Sequence, residues 1–374
     1  MTSQPRKGLE LRSTITTAGE LVLALAEVEI PVPVEDQVVI RIEAAPINPS
    51  DLALLLGTAD LATLRVDGER TVASVPKETL RTLAARLDQA LPVGNEGAGT
   101  VIDAGDQARA LVGKRVATSG AMYAQWKLAR ARECLPLPDG TTAAQGASAF
   151  VNPMTALAMV EALRREGHKA LVHTAAASNL GQMLVKICAA DRVPLVNIVR
   201  SGEQVALLRG LGAEFVVDSS TPSFRTDLVE AIAATGATLA FDAIGGGRMG
   251  SHILTAMETV AARSLTAYNR YGSNVHKQLY IYGRLDPGPT QLDQTFGFAW
   301  DVAGFLVTSF LMKAAPEAIQ RMRARVMAEL TTTFASHYSA TISLREALRL
   351  DVIRAYARRA TGTKYLIDPV QSAL

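Results

Sequence analysis

The sequence predicts an α/β protein in two parts, a small β-rich domain followed by a doubly wound parallel-sheet domain. Three observations predict it. The chain has 374 residues, more than one ordinary domain of about 150. Its texture changes near residue 148, from short β-like runs broken by turns to a regular alternation of strand and helix. Its composition, 48% hydrophobic and 20% charged, supplies a sizeable core and excludes disordered and fibrous classes. The first domain is expected over residues 1–150, completed by 331–374, and the second over 151–330.

In the first part, β-like runs fall at Leu21–Ala26, Val38–Ala44, Gly99–Ile102 and Arg115–Thr118, punctuated by Pro31, Pro33, Gly105 and Gly113. Short runs bounded by turn residues are the signature of a small, irregular β domain. The segment between Gly57 and Pro92 differs: from Lys77 to Leu91 apolar residues recur at helical spacing, which predicts a helix laid over the barrel. The second part reads strand Ala170–Thr174, helix Gly181–Ala190, strand Leu195–Val199, helix Glu203–Leu211 and strand Phe215–Val217. A helix within Pro222–Ala234, strand Leu239–Asp242, a helix near Met249–Glu258 and strand Leu279–Tyr282 follow. Fully apolar short strands alternating with amphipathic helices imply a parallel sheet covered on both faces, with the size and order of a dinucleotide-binding domain. The run Phe296–Met312 reads as a buried or interface helix. The tail, from a helix at Pro316–Leu330 through SHYSATISL to GTKYLIDP, returns to strand-like texture and is expected to complete the first domain.

Composition narrows the function classes. Lys plus Arg number 38 and Asp plus Glu 36, a net charge of +2, so the clustered basic face of a nucleic-acid binder is not expected. Two cysteines, Cys134 and Cys188, can form neither a disulfide framework nor a four-thiolate zinc lobe, and a reducing, cytoplasmic setting is expected. The start, MTSQPRKGLELRST, lacks the apolar stretch of a signal peptide. Phe296–Met312 is short for a bilayer and carries Asp301, so no membrane association is expected.

The candidate chemistry lies in the second part. The first strand–helix turn reads ALVHTAAASNLGQMLVKI, with Ala175, Ser178 and Gly181 at the spacing where small residues let a backbone approach a pyrophosphate. The second strand ends in Arg200-Ser201-Gly202. An NAD-preferring protein would present Asp or Glu there, whereas Arg200 suits a 2′-phosphate through charge-assisted hydrogen bonds. FDAIGGG (241–247) and QLYIYG (278–283) are two further strand exits at the edge where a cofactor crevice is expected.

The ordered set AAPINPSDLALL, PVGNEGAGTVIDAG, FVNPMTALAMV, TAAASNLG, NIVR, FDAIGG and GTKYLIDP resembles the medium-chain dehydrogenase/reductase superfamily. Within it the motifs look most like the zinc-free 2-enoyl thioester reductases, with quinone oxidoreductases as the neighbouring branch. The resemblance covers nearly the whole chain. It implies a GroES-like barrel domain plus a Rossmann domain with the active site in the cleft between them, and pairing into a homodimer, which Phe296–Met312 could supply or flank. Zinc-dependent relatives carry Cys where this chain has Asn48 and His where it has Asn95; Asn is a poor zinc ligand, and no metal is expected. The resemblance also implies that Asn48 lies in the pocket and that Asn152 and Thr155 lie at the nicotinamide end. It implies that Ala177, Ser178, Asn179 and Leu180 face the pyrophosphate and that Arg200, Ser201 and Gly202 face the 2′-phosphate. Tyr282 and Gly283 would lie at the cofactor's inner edge, with Lys364 closing over the cofactor from the tail. His173, in an apolar strand, reads as a satisfied core residue.

One departure bears on chemistry. Enoyl thioester reductases place a proton-donating tyrosine a few residues after the NPSD helix, and here that stretch, GTADLATLRVDGER, contains none. Tyr123, Tyr268 and Tyr271 are the candidate substitutes. The expected function is NADPH-dependent reduction of a small electrophile, a conjugated enone or quinone. A 2-enoyl thioester reductase is the alternative, and a non-catalytic NADPH-binding redox sensor is the alternative of another class.

Overall fold

The structure, a computed structural model, describes residues 5–358 and 361–373. The chain forms two compact units, Met1–Val151 with Val326–Leu374, and Asn152–Arg325.

The first unit is built on two sheets. One runs in the order Arg65–Asp67, Arg70–Ser74, Glu20–Ile30, Arg6–Ile15, Leu91–Pro92. The other runs Leu135–Pro136, Arg115–Ser119, Glu96–Ala104, Gln37–Pro46, Tyr365–Ile367, Ala340–Ile342, with Trp126–Arg130 also on Gln37–Pro46. In the central strand Val38, Val39, Ile40 and Ile42 are buried while Arg41 is exposed, so the strand is covered on both faces along most of its length. Leu11, Ile15, Leu21, Leu23, Ile42 and Leu55 form the larger core, joined by Ile353 and Ile367 from the tail. The tail strand pairs antiparallel with the central one, Leu366 opposite Pro46 and Ile367 opposite Ala45.

Between residues 57 and 92 the structure corrects the expectation of one helix over Lys77–Leu91. A single α turn at Lys77–Leu80 passes into a 3₁₀ helix, Arg81–Arg86, and the chain leaves extended at Leu87. Spacing alone does not separate the two helix types. In a 3₁₀ helix residues three apart eclipse, so Leu80, Leu83 and Arg86 share a face. The two leucines pack on the barrel core, and the Arg86 guanidinium donates to Ser13 Oγ (2.9 Å) and to the Leu54 carbonyl.

The second unit carries a six-stranded parallel sheet. Its strands are β1 (Leu171–His173), β2 (Leu195–Val199), β3 (Phe215–Asp218), β4 (Leu239–Asp242), β5 (Lys277–Ile281) and β6 (Trp300–Gly304), in the order β3-β2-β1-β4-β5-β6. That is the doubly wound order whose reversal, between β1 and β4, places ligands at the carboxyl edge. Among its helices are α1 (Val151–Arg165), α2 (Asn179–Asp191), α3 (Gly202–Gly210), α4 (Phe224–Thr235) and α5 (Met249–Ala262). Every residue of β1, β2 and β4 is buried, as a sheet with both faces covered demands.

Here too one expectation is overturned. Phe296–Met312 is not one helix: Trp300–Gly304 pairs in parallel with β5, Lys277 opposite Trp300 through Ile281 opposite Gly304, and only Val307–Lys313 is helical. A short apolar run cannot be told from a strand by periodicity, and the open edge of β5 decided it.

Lys277, at the start of β5, is fully buried. Its ammonium donates to Glu258 Oε2 (2.6 Å), the Val275 carbonyl (2.8 Å) and Ser273 Oγ (3.3 Å). Glu258 also accepts from Ser273 N (2.7 Å) and Oγ (2.6 Å). Burial alone would raise the Glu258 carboxyl, but the hydrogen bonds from Lys277 and Ser273 hold it below the usual range. This pair ties the loop before β5 to α5.

Candidate active site

In the first unit, a buried polar cluster gathers where the NPSD and GNEG motifs meet. The Asn48 side-chain amide donates to Glu96 Oε1 (2.8 Å), and Glu96 Oε2 accepts from the backbone N–H of Phe150 and Val151 (both 2.8 Å). Asp51 accepts from Asn48 N and Asn95 N (both 2.7 Å). Asn48 Oδ1 is buried with no partner. It is an acceptor, so what it offers a ligand is a place for an O–H or N–H. Asn95 donates to Ser50 Oγ (3.0 Å). Among the described residues no three His, Cys, Asp or Glu side chains are grouped to hold a metal ion.

The same cluster contains Lys364. Its ammonium donates to Ser148 Oγ (2.7 Å) and lies 5.6 Å from the Tyr338 ring centroid, and the Tyr338 hydroxyl is 3.0 Å from Ser148 Oγ. Burial lowers Lys364 to about 8, against the pull of Glu96 and Asp51. Burial likewise raises Asp51 to about 7, opposed by its two backbone donors.

The sign of the Asp51 effect follows from linkage. An unfolded aspartate ionises near 3.9 and the folded one near 7, so the contribution of Asp51 to stability is complete below about pH 4 and is lost as pH rises to 7. Across that window wild type is expected to lose stability relative to Asp51→Asn, with a slope approaching 1.4 kcal/mol per pH unit. Urea unfolding of both proteins from pH 4.5 to 7.5 reads it, and parallel curves would reject it.

In the second unit, the carboxyl edge of the sheet carries the other features. After β1, Ala175 takes a positive φ of 51°, Ser178 N donates to the Ala175 carbonyl (2.9 Å), and Ser178 Oγ caps α2 by accepting from Gly181 N (3.2 Å). A Cβ on Gly181 would lie 2.1 Å from the Ala176 carbonyl oxygen, so only glycine lets helix and strand approach this closely. Ala177, Ser178, Asn179 and Leu180 form the turn and the first residues of α2. At the end of β2, Arg200 is exposed, its backbone N–H donating to Gln204 Oε1 (3.0 Å). Ser201 caps α3, which starts at Gly202. Asp242 closes β4: it accepts from Thr174 Oγ1 (2.6 Å), Ile244 N (2.9 Å) and Gly245 N (3.1 Å), fixing the loop beside the β1 turn. Asn152 and Thr155 are buried in the first turns of α1.

Tyr282 follows β5, and its hydroxyl lies 2.7 Å from His173 Nε2, with the two rings stacked at 5.7 Å. Gly283 packs on the Ala243 backbone, where a Cβ would meet the carbonyl oxygen at 2.4 Å.

The structure therefore gathers Ala177–Leu180, Arg200–Gly202, Tyr282 and Gly283 on the carboxyl edge of one sheet. Asn48 and Lys364 share the cluster of the first unit. Tyr123 is fully buried and its hydroxyl donates to the Pro46 carbonyl (3.0 Å), while Tyr268 is 93% exposed on the surface and Tyr271 is also exposed. The sequence reading missed Asp51, Glu96, Ser148 and Tyr338. The two acids sit inside the quoted motifs NPSD and GNEG, so the motifs themselves were the available signal. It also read His173 as satisfied, and its Nδ1 is not. No pattern signals that.

A β-rich unit completed by the tail and a 3-2-1-4-5-6 parallel sheet define the class: a GroES-like domain joined to a Rossmann domain. The alcohol dehydrogenase GroES-like domain family matches residues 34–150. The chain is 27% identical over 213 residues to a mitochondrial enoyl-[acyl-carrier-protein] reductase of Xenopus tropicalis, covering 52% of each chain. It is 28% identical over 217 residues to a chloroplastic quinone-oxidoreductase homolog of Spinacia oleracea, covering 54% of this chain and 59% of that one. The chain thus spans about half the length of the curated relatives it matches. A Mesorhizobium loti structure assigned by name to the NADPH:quinone reductases superposes with a TM-score of 0.71 at 26% identity, covering 99% and 100% of the two chains. Residues 34–150 thus match the GroES-like domain family, and the chain as a whole is similar in fold to the NADPH:quinone reductase structure.

Proposed function

We propose that this protein is a zinc-independent, NADPH-dependent reductase of a conjugated carbonyl compound, an enone or a quinone. The observation that carries the reading is Arg200, exposed at the carboxyl end of β2 in a sheet of dinucleotide-binding order, where a guanidinium suits a 2′-phosphate.

The residues present fit the cofactor. The β1–α2 turn, packed closely through Gly181, would present the N-terminus of α2 to a pyrophosphate, and Ala177–Leu180 would hold it. Ser201 and Gly202 would join Arg200 at the 2′-phosphate, Asn152 and Thr155 would lie at the nicotinamide end, Tyr282 and Gly283 would lie at the cofactor's inner edge, and Lys364 is kept as a proposed cofactor contact. When bound, NADPH supplies hydride chemistry. The remaining tasks fall to the chain: fixing the electrophile, excluding water and providing a donor for the negative charge that reduction creates. Asn48, with its amide nitrogen committed to Glu96, lines the pocket as an acceptor. Tyr123, with its hydroxyl committed to Pro46, is not assigned as the donor.

We further infer a homodimer that extends the sheet at β6. Among the described residues that strand has a partner only on its β5 side, and Phe298, Leu306 and Met312 nearby are 79%, 61% and 80% exposed. Sedimentation at twice 39.7 kDa rather than once would support it. Two buried free cysteines favour a reducing, cytoplasmic location. Among the described residues no helix is long and apolar enough to cross a membrane.

The test is oxidation of NADPH and NADH by the purified protein with a simple enone, a quinone and a 2-enoyl-CoA. Turnover of enone or quinone with NADPH preferred is the expected result. Turnover of the thioester alone moves the assignment to the enoyl thioester reductases. Tight NADPH binding without turnover of any of the three rejects the enone and quinone assignment in favour of another substrate or a redox sensor.

A further inference from the structure

We propose that Tyr282, held by His173, is the proton donor to the reduced substrate, supplying what the tyrosine-free stretch after Asp51 lacks. The inference rests on the reductase reading above and adds a residue to it.

His173 is the last residue of β1 and is wholly buried. Tyr282 follows β5 and is half-buried, reaching across β4 to bring its hydroxyl 2.7 Å from His173 Nε2. The other imidazole nitrogen, Nδ1, is buried with no partner. Burial lowers the ring to about 3, so the imidazole is neutral near pH 7 and carries one N–H.

Two tautomers then compete. With the proton on Nδ1, a buried N–H would be left without an acceptor, and orphaned buried donors are the rarer and costlier defect. With the proton on Nε2, the unpaired groups are a bare ring lone pair and the phenolic proton of Tyr282, which sits on a half-buried rather than a wholly buried residue. The second arrangement is favoured, and it sets the direction of the hydrogen bond: His173 Nε2–H donates to Tyr282 Oη. The phenolic proton is then not used on His173 and is available to another acceptor.

This polarity suits acid chemistry at the sheet edge that carries the cofactor features. The hydride leaves its C–H bond on bound NADPH, which becomes NADP+, and forms a new C–H bond at the β-carbon of the conjugated carbonyl, and the π pair shifts to leave an enolate. The Tyr282 O–H bond breaks and its proton forms a C–H bond at the α-carbon. The electron pair stays on Oη as phenolate, which accepts the His173 Nε2–H as a charge-assisted bond and then takes a proton from water. Burial first, and the Asp242 carboxylate second, push the phenol well above its ordinary value. The proton is therefore kept until a base as strong as an enolate forms. His173 is a positioning residue in this scheme.

The test has a readout that needs neither cofactor nor turnover. Nitrogen-15 NMR of the imidazoles in the cofactor-free protein is expected to show His173 protonated on Nε2; protonation on Nδ1 would reverse the hydrogen bond and overturn the proposal. In kinetics with the acceptor that wild type turns over, Tyr282→Phe is expected to lower kcat roughly 100-fold or more, with the NADPH Kd, read by fluorescence, changed less than about 2-fold. A weakened Kd with kcat intact would make Tyr282 a cofactor contact only and overturn the donor role. His173→Leu is expected to lower kcat by about 10-fold, and His173→Gln, which keeps an N–H donor, to recover most of it. Wild-type turnover with Tyr282→Phe undisturbed rejects the donor alone. No wild-type turnover with any acceptor rejects the reductase reading and the donor with it.

Discussion

Arg200→Asp is expected to lower kcat/KM for NADPH by about 100-fold or more while leaving that for NADH unchanged or improved. Hydrogen bonds to a charged partner contribute about 1.5–3 kcal/mol each, and each 1.4 kcal/mol is a factor of ten. Losing two such bonds to a phosphate therefore accounts for at least two orders of magnitude. An aspartate at the same strand end also repels the phosphate and offers an acceptor to ribose hydroxyls. Arg200 is exposed and its backbone is held by Gln204, so the substitution leaves the packing of β2 and α3 in place. Steady-state kinetics with both cofactors gives the ratio directly. An NADPH to NADH preference that does not move would remove Arg200 from the site.

The second large effect is on stability. Lys277→Met is expected to cost about 3–5 kcal/mol, because it leaves the Glu258 carboxylate buried beside Ser273 without its cation. Replacing both partners, as Lys277→Met with Glu258→Leu, is expected to recover most of that loss, since a well-packed apolar pair carries no desolvation cost. Urea unfolding of the three proteins decides it. A single substitution within about 1 kcal/mol of wild type would mean that water reaches the pair.

These two residues also mark how differently the chain could be read. The placement of Arg200 was legible because it is local: it stands at the end of an apolar strand, before a serine cap and a glycine. Lys277 was not legible. A lysine before an apolar strand ordinarily stays in solvent, and its burial depends on Glu258, 19 positions away. Lys364 is a third case. The motif GTKYLI drew attention to it, yet its bond to Ser148, 216 positions away, exists only because the tail strand joins the sheet beside Gln37–Pro46.

The sequence by itself determined the two-part architecture, the strand order's raw material and the small-residue turn after β1. Periodicity, caps and turn residues act over a few positions and leave a local record. Only the tertiary structure decided that Arg81–Arg86 tightens into a 3₁₀ helix on the barrel core and that Trp300–Gly304 becomes an edge strand. Only it brought His173 and Tyr282, 109 positions apart, within hydrogen-bonding reach across β4. In each case the deciding partner lies far along the chain, and the free energy of packing or pairing with it exceeds the small preferences that local sequence expresses.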